Sequence, residues 1–385
     1  SNSFCTLLVF TATMAHAEDF ERLSCSDEEE QEEQTNQQYF DSYGTDVRVT
    51  KAMLNDKPRM AFYRDAINAA NVKGKVVVDV GAGTGILSLL AARAGARRVI
   101  AIEASVMATT MRHIVHAQGG KYADVIRVVE AAAETVSRRS LEEAGHLEPG
   151  DRVDFVVSEW MGFYLLHENM LPSVIRVRDA LAWRGVDGDA DQTPQMIPSR
   201  AVIHAAPVDL GPMLEEECWR HWRDVEGFDM SALARMEEAV LLSANPCVHV
   251  LPPACVLHEP FVVRDLDLDT VSVADLAHIE GEGVLQWGAS LRARKALESR
   301  PKATLWGVAL WFDVSFADVT MPTGPDHAAT HWKQTIVQVP EELQGEIAVA
   351  GLVNDADAMG VKIEMALSPA TRSYELGLGL YDPNE

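Results

Sequence analysis

The chain has 385 residues, enough for two domains each with its own core, and 47% of them are hydrophobic, which excludes a wholly disordered chain. A formal net charge of -25 opposes direct binding to a phosphate backbone and favours cationic partners, attracted over a distance that salt shortens. Five cysteines, odd in number, widely spaced and without a C-x-x-C pair, point to a reducing compartment, cytoplasm or nucleus, and to no metal site.

Residues 1–38 read as an acidic tail expected to be disordered, since 27–33 are almost all acid and glutamine. The apolar stretch at 4–10 is too short to cross a bilayer and no Lys or Arg precedes it, so neither a signal peptide nor a membrane span is expected. From 39 to 71 the apolar residues Met53, Leu54, Met60 and Ile67 recur at helical spacing, interrupted at Pro58.

Strands expected at 75–80, 98–102, 125–129 and 152–158 then alternate with helical stretches, which implies a parallel sheet, a Rossmann-like α/β domain covering 39–198. Beyond Pro198 the pattern changes to short β runs at 201–205, 255–263, 303–312, 335–339, 346–350, 362–366 and 374–378, broken by Gly and Pro, as in a β-barrel or sandwich over 199–385. An acidic, aromatic helical insertion at about 209–236, with Trp219, Trp222, Phe228 and Met230, reads as a surface for a second subunit or as local packing on the β domain.

The first strand of the α/β half runs straight into Gly81-Ala82-Gly83-Thr84-Gly85 and a helix. Glycines there let backbone pass close to a ligand where a side chain would collide. The second strand ends on Glu103, the position of the acid that takes nucleoside ribose hydroxyls in doubly wound folds. A dinucleotide fingerprint needs a third glycine at 86, which is Ile, so the spacing favours S-adenosylmethionine over NAD.

The fourth strand ends in Ser158-Glu159-Trp160-Met161-Gly162, and Glu168 follows nine positions after Glu159. Ligands of such sheets lie outside the carboxyl ends of the strands, and a loop of this length can bring Glu168 back beside Glu159. Two facing carboxylates repel unless a cation lies between them, and a planar guanidinium matches their oxygens better than an ammonium does.

The string from Ser158 to Leu171 resembles the double-glutamate loop of the protein arginine N-methyltransferases. Tyr39-Phe40-Asp41-Ser42-Tyr43 resembles that family's YFxxY opening, and Thr330-His331-Trp332 its THW loop, in the form of the type I branch. The resemblance extends from about Tyr39 to Leu380 and implies a Rossmann-like methyltransferase domain, a β-barrel and a helical dimerisation arm. By position it implies that Tyr39, Met53, Arg59, Asp79, Gly81, Gly83, Gly85, Glu103 and Glu134 bind S-adenosylmethionine, with Arg59 on its carboxylate and Glu134 at its adenine. Tyr43, Met53, Met170 and Trp332 then flank the substrate, Glu159 and Glu168 hold its guanidinium, and His331 with Asp56 serves as a proton relay or an interdomain clamp.

The activity implied is methylation of arginine in Gly-Arg-rich segments or histone tails, giving monomethyl and asymmetric dimethylarginine, by a homodimer that binds neither nucleic acid nor membrane. One position departs from the pattern: Thr50 stands where the family commonly has histidine. That departure keeps a second reading open, a weak or inactive member that serves as scaffold or activator of another methyltransferase.

Overall fold

The computed structural model describes residues 8–13, 47–183, 192–340, 343, 347–354, 358–368 and 372–384. Helices α1 (Val47–Asn55) and α2 (Lys57–Ala69) lead the α/β domain. They break at Asp56, whose side chain accepts a hydrogen bond from the Arg59 amide and caps α2, while Pro58 occupies a first-turn position that needs no donor.

Strands β2 (Val76–Val80), β3 (Arg98–Glu103), β4 (Ile126–Glu130), β5 (Phe155–Ser158) and β6 (Gln195–Ile197) form one parallel sheet in the order β4-β3-β2-β5-β6. Every residue of β2 and β5 is buried, which is why both read as unbroken apolar runs rather than as alternation. Helices α3 (Ile86–Arg93) and α4 (Met107–Ala117) follow β2 and β3, and α5 (Leu171–Ala180) follows the double-glutamate loop. The strand order reverses between β2 and β5, and that crevice is where a doubly wound sheet binds its ligand.

The second half is two antiparallel sheets, as expected for the β-barrel domain. One has the order β8-β13-β11-β7-β9, from Cys247–His249, Gln334–Gln338, Gly307–Phe316, Arg200–Val208 and Phe261–Asp267, with β12 (Val319–Pro322) paired to β11. The other has the order β1-β15-β14-β10, from Leu8–Thr13, Ser373–Tyr381, Ala358–Ser368 and His278–Gln286. One hydrophobic core runs from Phe62 in α2 to Leu380 in β15, so the two domains share it.

Four expectations need correction. Within the stretch taken as a disordered tail, Leu8–Thr13 is a strand, paired antiparallel to β15 from Leu8 opposite Leu380 to Thr13 opposite Glu375. Its apolar and β-branched composition suits an edge that the charge of the whole tail obscures. The run at 255–263 splits, because Pro253–Cys255 is a 3-10 turn and the strand begins at Phe261. The run at 346–350 contains no described strand, and Val349–Asn354 is a helix. Finally, β10 goes unseen in the sequence because Gly281 and Gly283 look like breakers; a Cβ at either would collide with Val263 backbone or the Phe261 ring, so the glycines mark a close crossing of β9 and β10.

The insertion is helical from Gly211, with a π-turn at Glu215–Trp219, and ends in α6 (Ser231–Leu241), past the expected boundary. Trp219 and Trp222 are used within the arm, their indole N–H groups donating to Glu238 and Glu237 of α6 at 3.0 and 2.6 Å. Phe228, Met236 and Val240 are 68%, 66% and 73% exposed, so the unsatisfied apolar surface lies on these residues and not on the tryptophans.

Candidate active site

A cavity of about 470 Å³ opens at the carboxyl ends of β2, β3 and β5, with α1 and the loop before β13 forming its far wall. Its floor is the glycine loop. Gly81, Gly83 and Gly85 all have positive φ, at 69°, 52° and 79°. A Cβ at Gly81 would collide with the Met170 methyl group, and one at Gly85 with that of Met111, whereas at Gly83 it would meet open space. Gly83 is therefore the point at which a ligand can lie directly on backbone.

Glu103 closes one side of this floor. One of its oxygens accepts the Gly83 amide at 2.7 Å, the other the Ser105 amide and hydroxyl at 2.9 and 2.6 Å. These three bonds fix the carboxylate at the pocket wall and leave about one of its roughly four lone-pair sites for a further donor. Glu134 lies farther along the wall, in the 3-10 turn after β4, and accepts a short hydrogen bond from Ser173 at the start of α5.

The opposite side carries the chemistry predicted for a cation. Glu159 leaves β5 and Glu168 returns on its loop, and both line the same cavity as the glycine floor. Arg59, nearly buried, directs Nη2 and Nε to one oxygen of Glu159 at 2.9 and 3.2 Å, and Nη1 to the Met53 carbonyl at 3.2 Å. Expected against the carboxylate of the donor, this guanidinium is found on Glu159 and lines the same cavity.

Asp56 and His331 join the domains. The His331 amide and its ring Nδ1 both meet Asp56 Oδ2, at 2.8 and 2.7 Å. Burial pushes the Asp56 carboxyl up, but the His331 and Arg59 hydrogen bonds and the charge of His331 outweigh it, leaving its pKa below the ordinary value of 3.8. Trp332, 3% exposed, donates its indole N–H to the Met161 carbonyl at 2.7 Å, fastening the double-glutamate loop to the β domain.

Comparison with known proteins agrees with this geometry. Residues 199–373 match the family model for the arginine methyltransferase oligomerization subdomain, and 64–136 match that for ribosomal protein L11 methyltransferase. The chain is 33% identical over 337 residues to a probable protein arginine N-methyltransferase 6.1 of Oryza sativa subsp. indica, covering 80% of this chain and 79% of the relative. It is 32% identical to protein arginine N-methyltransferase 6 of Xenopus laevis, with 89% and 93% covered. The chain belongs to the protein arginine N-methyltransferase family. The crystal structure of PRMT6-SAH superimposes with a TM-score of 0.77 at 34% identity, covering 87% of this chain and all of that one. The Trypanosoma brucei PRMT1 enzyme-prozyme heterotetrameric complex with AdoHcy aligns at 0.60 and 27%, covering 85% and 91%.

For a methyltransferase of this family most of the expected site is assembled. Met53, Arg59, Gly81, Gly83, Glu103, Glu134, Glu159, Glu168, Met170, His331 and Trp332 all line one cavity, as does Thr50, the departure from the family pattern. Tyr39 and Tyr43 lie outside the described residues. Gly85 and Asp79, both expected against the donor, do not line the cavity: Gly85 packs on Met111, and Asp79 is fully buried, with one oxygen accepting the Ser88 hydroxyl at 2.7 Å. Burial, only partly offset by Ser88, pushes its carboxyl up to about 7. Asp79 thus ties β2 to α3, because a strand that is buried on both faces turns alternate side chains to opposite sides of the sheet.

Sequence reading missed Ser105, Ser173 and Arg372. The first two were findable as hydroxyls within a turn of Glu103 and Met170, whereas Arg372 comes from the β14–β15 connection, 204 residues from the glutamate it touches.

Proposed function

We propose that this chain is a type I protein arginine N-methyltransferase that takes methyl groups from S-adenosylmethionine and forms monomethyl and asymmetric dimethylarginine. The observation that carries this reading is that Glu159 and Glu168 line the same cavity as the Gly81–Thr84 floor and Glu103. The donor set fits: open backbone at Gly83 for the nucleoside, the remaining lone pair of the Glu103 carboxylate for a ribose hydroxyl, Glu134 and Ser173 for the adenine edge, and Arg59 for the amino-acid carboxylate. When bound, S-adenosylmethionine supplies a methyl group already activated by a sulfonium.

The chain's part is orientation and charge. A protonated arginine has its lone pairs delocalised and is a poor nucleophile. Glu159 and Glu168 draw the positive charge onto the far nitrogens, leaving the attacking nitrogen richer in electrons and aimed at the methyl. That Glu159 already accepts two N–H groups of a guanidinium, its own Arg59, supports this use. Arg59 would hold the amino-acid carboxylate of the donor, which would free the Glu159 oxygen it now occupies for the substrate guanidinium. The ionised Asp56 holds the His331 backbone and ring together and so acts as the interdomain clamp, with the imidazole oriented beside the glutamates.

The type I assignment rests on the THW form of residues 330–332. A homodimer through 211–241 is supported by the exposed Phe228, Met236 and Val240 within a region that matches an oligomerization subdomain. The net charge of -25 suits basic substrates such as Gly-Arg-rich segments and histone tails.

The test is mass spectrometry of methylarginine isomers after the protein is incubated with S-adenosylmethionine and a Gly-Arg-rich or histone-tail peptide, with Glu159→Gln in parallel. Asymmetric dimethylarginine is expected, with turnover lowered at least about 100-fold in the variant, the scale of removing one preorganised electrostatic group. Symmetric product would overturn the type assignment, and a normal rate in the variant would remove Glu159 from the reaction.

A further inference from the structure

The double-glutamate loop is held in a shape that its own residues disfavour. Tyr164, Leu165, Glu168 and Asn169 have φ of 44°, 81°, 77° and 49°, the left-handed region that a Cβ makes unfavourable. Four such residues within six positions persist only where the surroundings over-determine them. Part of that determination is internal, since Gly162 packs so closely on the His167 carbonyl that a Cβ could not be inserted.

Among the described residues, three hydrogen bonds from the β domain add to it. The Trp332 indole donates to the Met161 carbonyl at 2.7 Å, and the Tyr374 amide to the Tyr164 hydroxyl at 3.3 Å. The third bond lands on the strained glutamate itself: Arg372 Nε donates to the Glu168 carbonyl at 3.2 Å. Arg372 sits at the turn into β15 with φ of 52°, and it lines the cavity beside Glu168.

We propose that Arg372 is a positioning residue for methyl transfer, its guanidinium holding the Glu168 peptide so that the carboxylate stays turned toward the guanidinium site opposite Glu159. The physical reason is the backbone geometry at Glu168. Relaxing the left-handed φ of Glu168 means rotation about its N–Cα bond, which carries its side chain and its carbonyl together, and a charge-assisted hydrogen bond on the carbonyl opposes that rotation. The neutral bonds at Met161 and Tyr164 fix the near end of the loop, the Asn169 amide is held by the Leu166 carbonyl at 3.2 Å, and Arg372 supplies the charged donor on the Glu168 carbonyl. The inference rests on the role proposed above for Glu168.

The experiment is a double-mutant cycle of Arg372→Met, Glu168→Gln and both together. It is read as kcat and KM for an arginine peptide, with S-adenosylhomocysteine affinity by calorimetry and thermal melting alongside. Arg372→Met is expected to lower kcat by about 10- to 100-fold, the cost of misplacing a group near the reacting atoms by roughly an ångström, while melting and nucleoside affinity hold. Arg372→Lys recovers part of the loss. The double variant is no slower than Glu168→Gln, because Arg372 acts through that residue.

A wild-type kcat in Arg372→Met, losses that multiply in the double variant, or a rate that falls only in step with melting overturns the proposal while leaving Glu168 in place. A normal rate in Glu168→Gln removes the glutamate reading and this inference with it. If Arg372→Met does not fold, Arg372→Gln takes its place in the cycle under the same criteria.

Discussion

Replacing Asp56 by Ala or by Asn separates its two structural duties. The carboxylate accepts the Arg59 amide at 3.0 Å, which caps α2, and the amide and ring of His331 at 2.8 and 2.7 Å, which join the domains. The cap is worth about 1 kcal/mol. Each bond to the ionised carboxylate adds about 1.5 to 3 kcal/mol. Burial of the charge takes back a few kcal/mol, so Asp56→Ala is expected to cost about 2 to 4 kcal/mol in all. Asn keeps the cap and one carbonyl acceptor while losing the charge, so Asp56→Asn should cost roughly half as much.

The pH dependence has a definite sign. Because the folded pKa of Asp56 lies below 3.8, its contribution is complete above the unfolded value and drains away only as pH falls through the folded one. The stability gap between wild type and Asp56→Asn should therefore stay level from neutral pH down to about 5 and close below about 4. Denaturant unfolding of the three proteins across that range measures it. Equal losses for Ala and Asn, or a gap that widens as pH falls, would refute the division of labour.

Two further outcomes follow from the buried Asp79 and the arm. Asp79 is shifted the opposite way, to about 7, so its burial destabilises the fold increasingly as pH rises from 3.8 and levels off above 7. Relative to Asp79→Asn, wild-type stability should decline over that window, and parallel pH profiles would mean that the carboxyl stays ionised where it lies. Charging the exposed face of the arm by Phe228→Asp with Met236→Asp should halve the mass seen in light scattering; an unchanged mass would place the subunit contact elsewhere.

What could be read from the sequence were features that depend on neighbours along the chain. The run 76–85 spells strand, glycine floor and helix in one breath, since a buried strand must be apolar and a backbone approach requires glycine. Glu103 and Glu159 follow from being the residues at the ends of their strands, because the sheet's direction puts those ends at the crevice. The β half was legible as a texture, but β10 was hidden by two glycines whose purpose is a crossing with β9, a fact that belongs to contacts between Gly281 and Val263 and between Gly283 and Phe261, in separate strands.

Tertiary structure alone decided which way the functional side chains point and what holds them. Period-2 alternation fixes that Asp79 and Val80 face opposite sides, yet only the packing of α3 tells that Asp79 meets Ser88. The pairing of Arg372 with Glu168, 204 positions apart, has no local signal, since a hydrogen bond between distant segments leaves no period or spacing in either, and that of Asp56 with His331, 275 apart, was legible only through the family resemblance. The sequence determined that a nucleoside floor and a carboxylate pair exist; the shared core of the two domains brought them to one cavity.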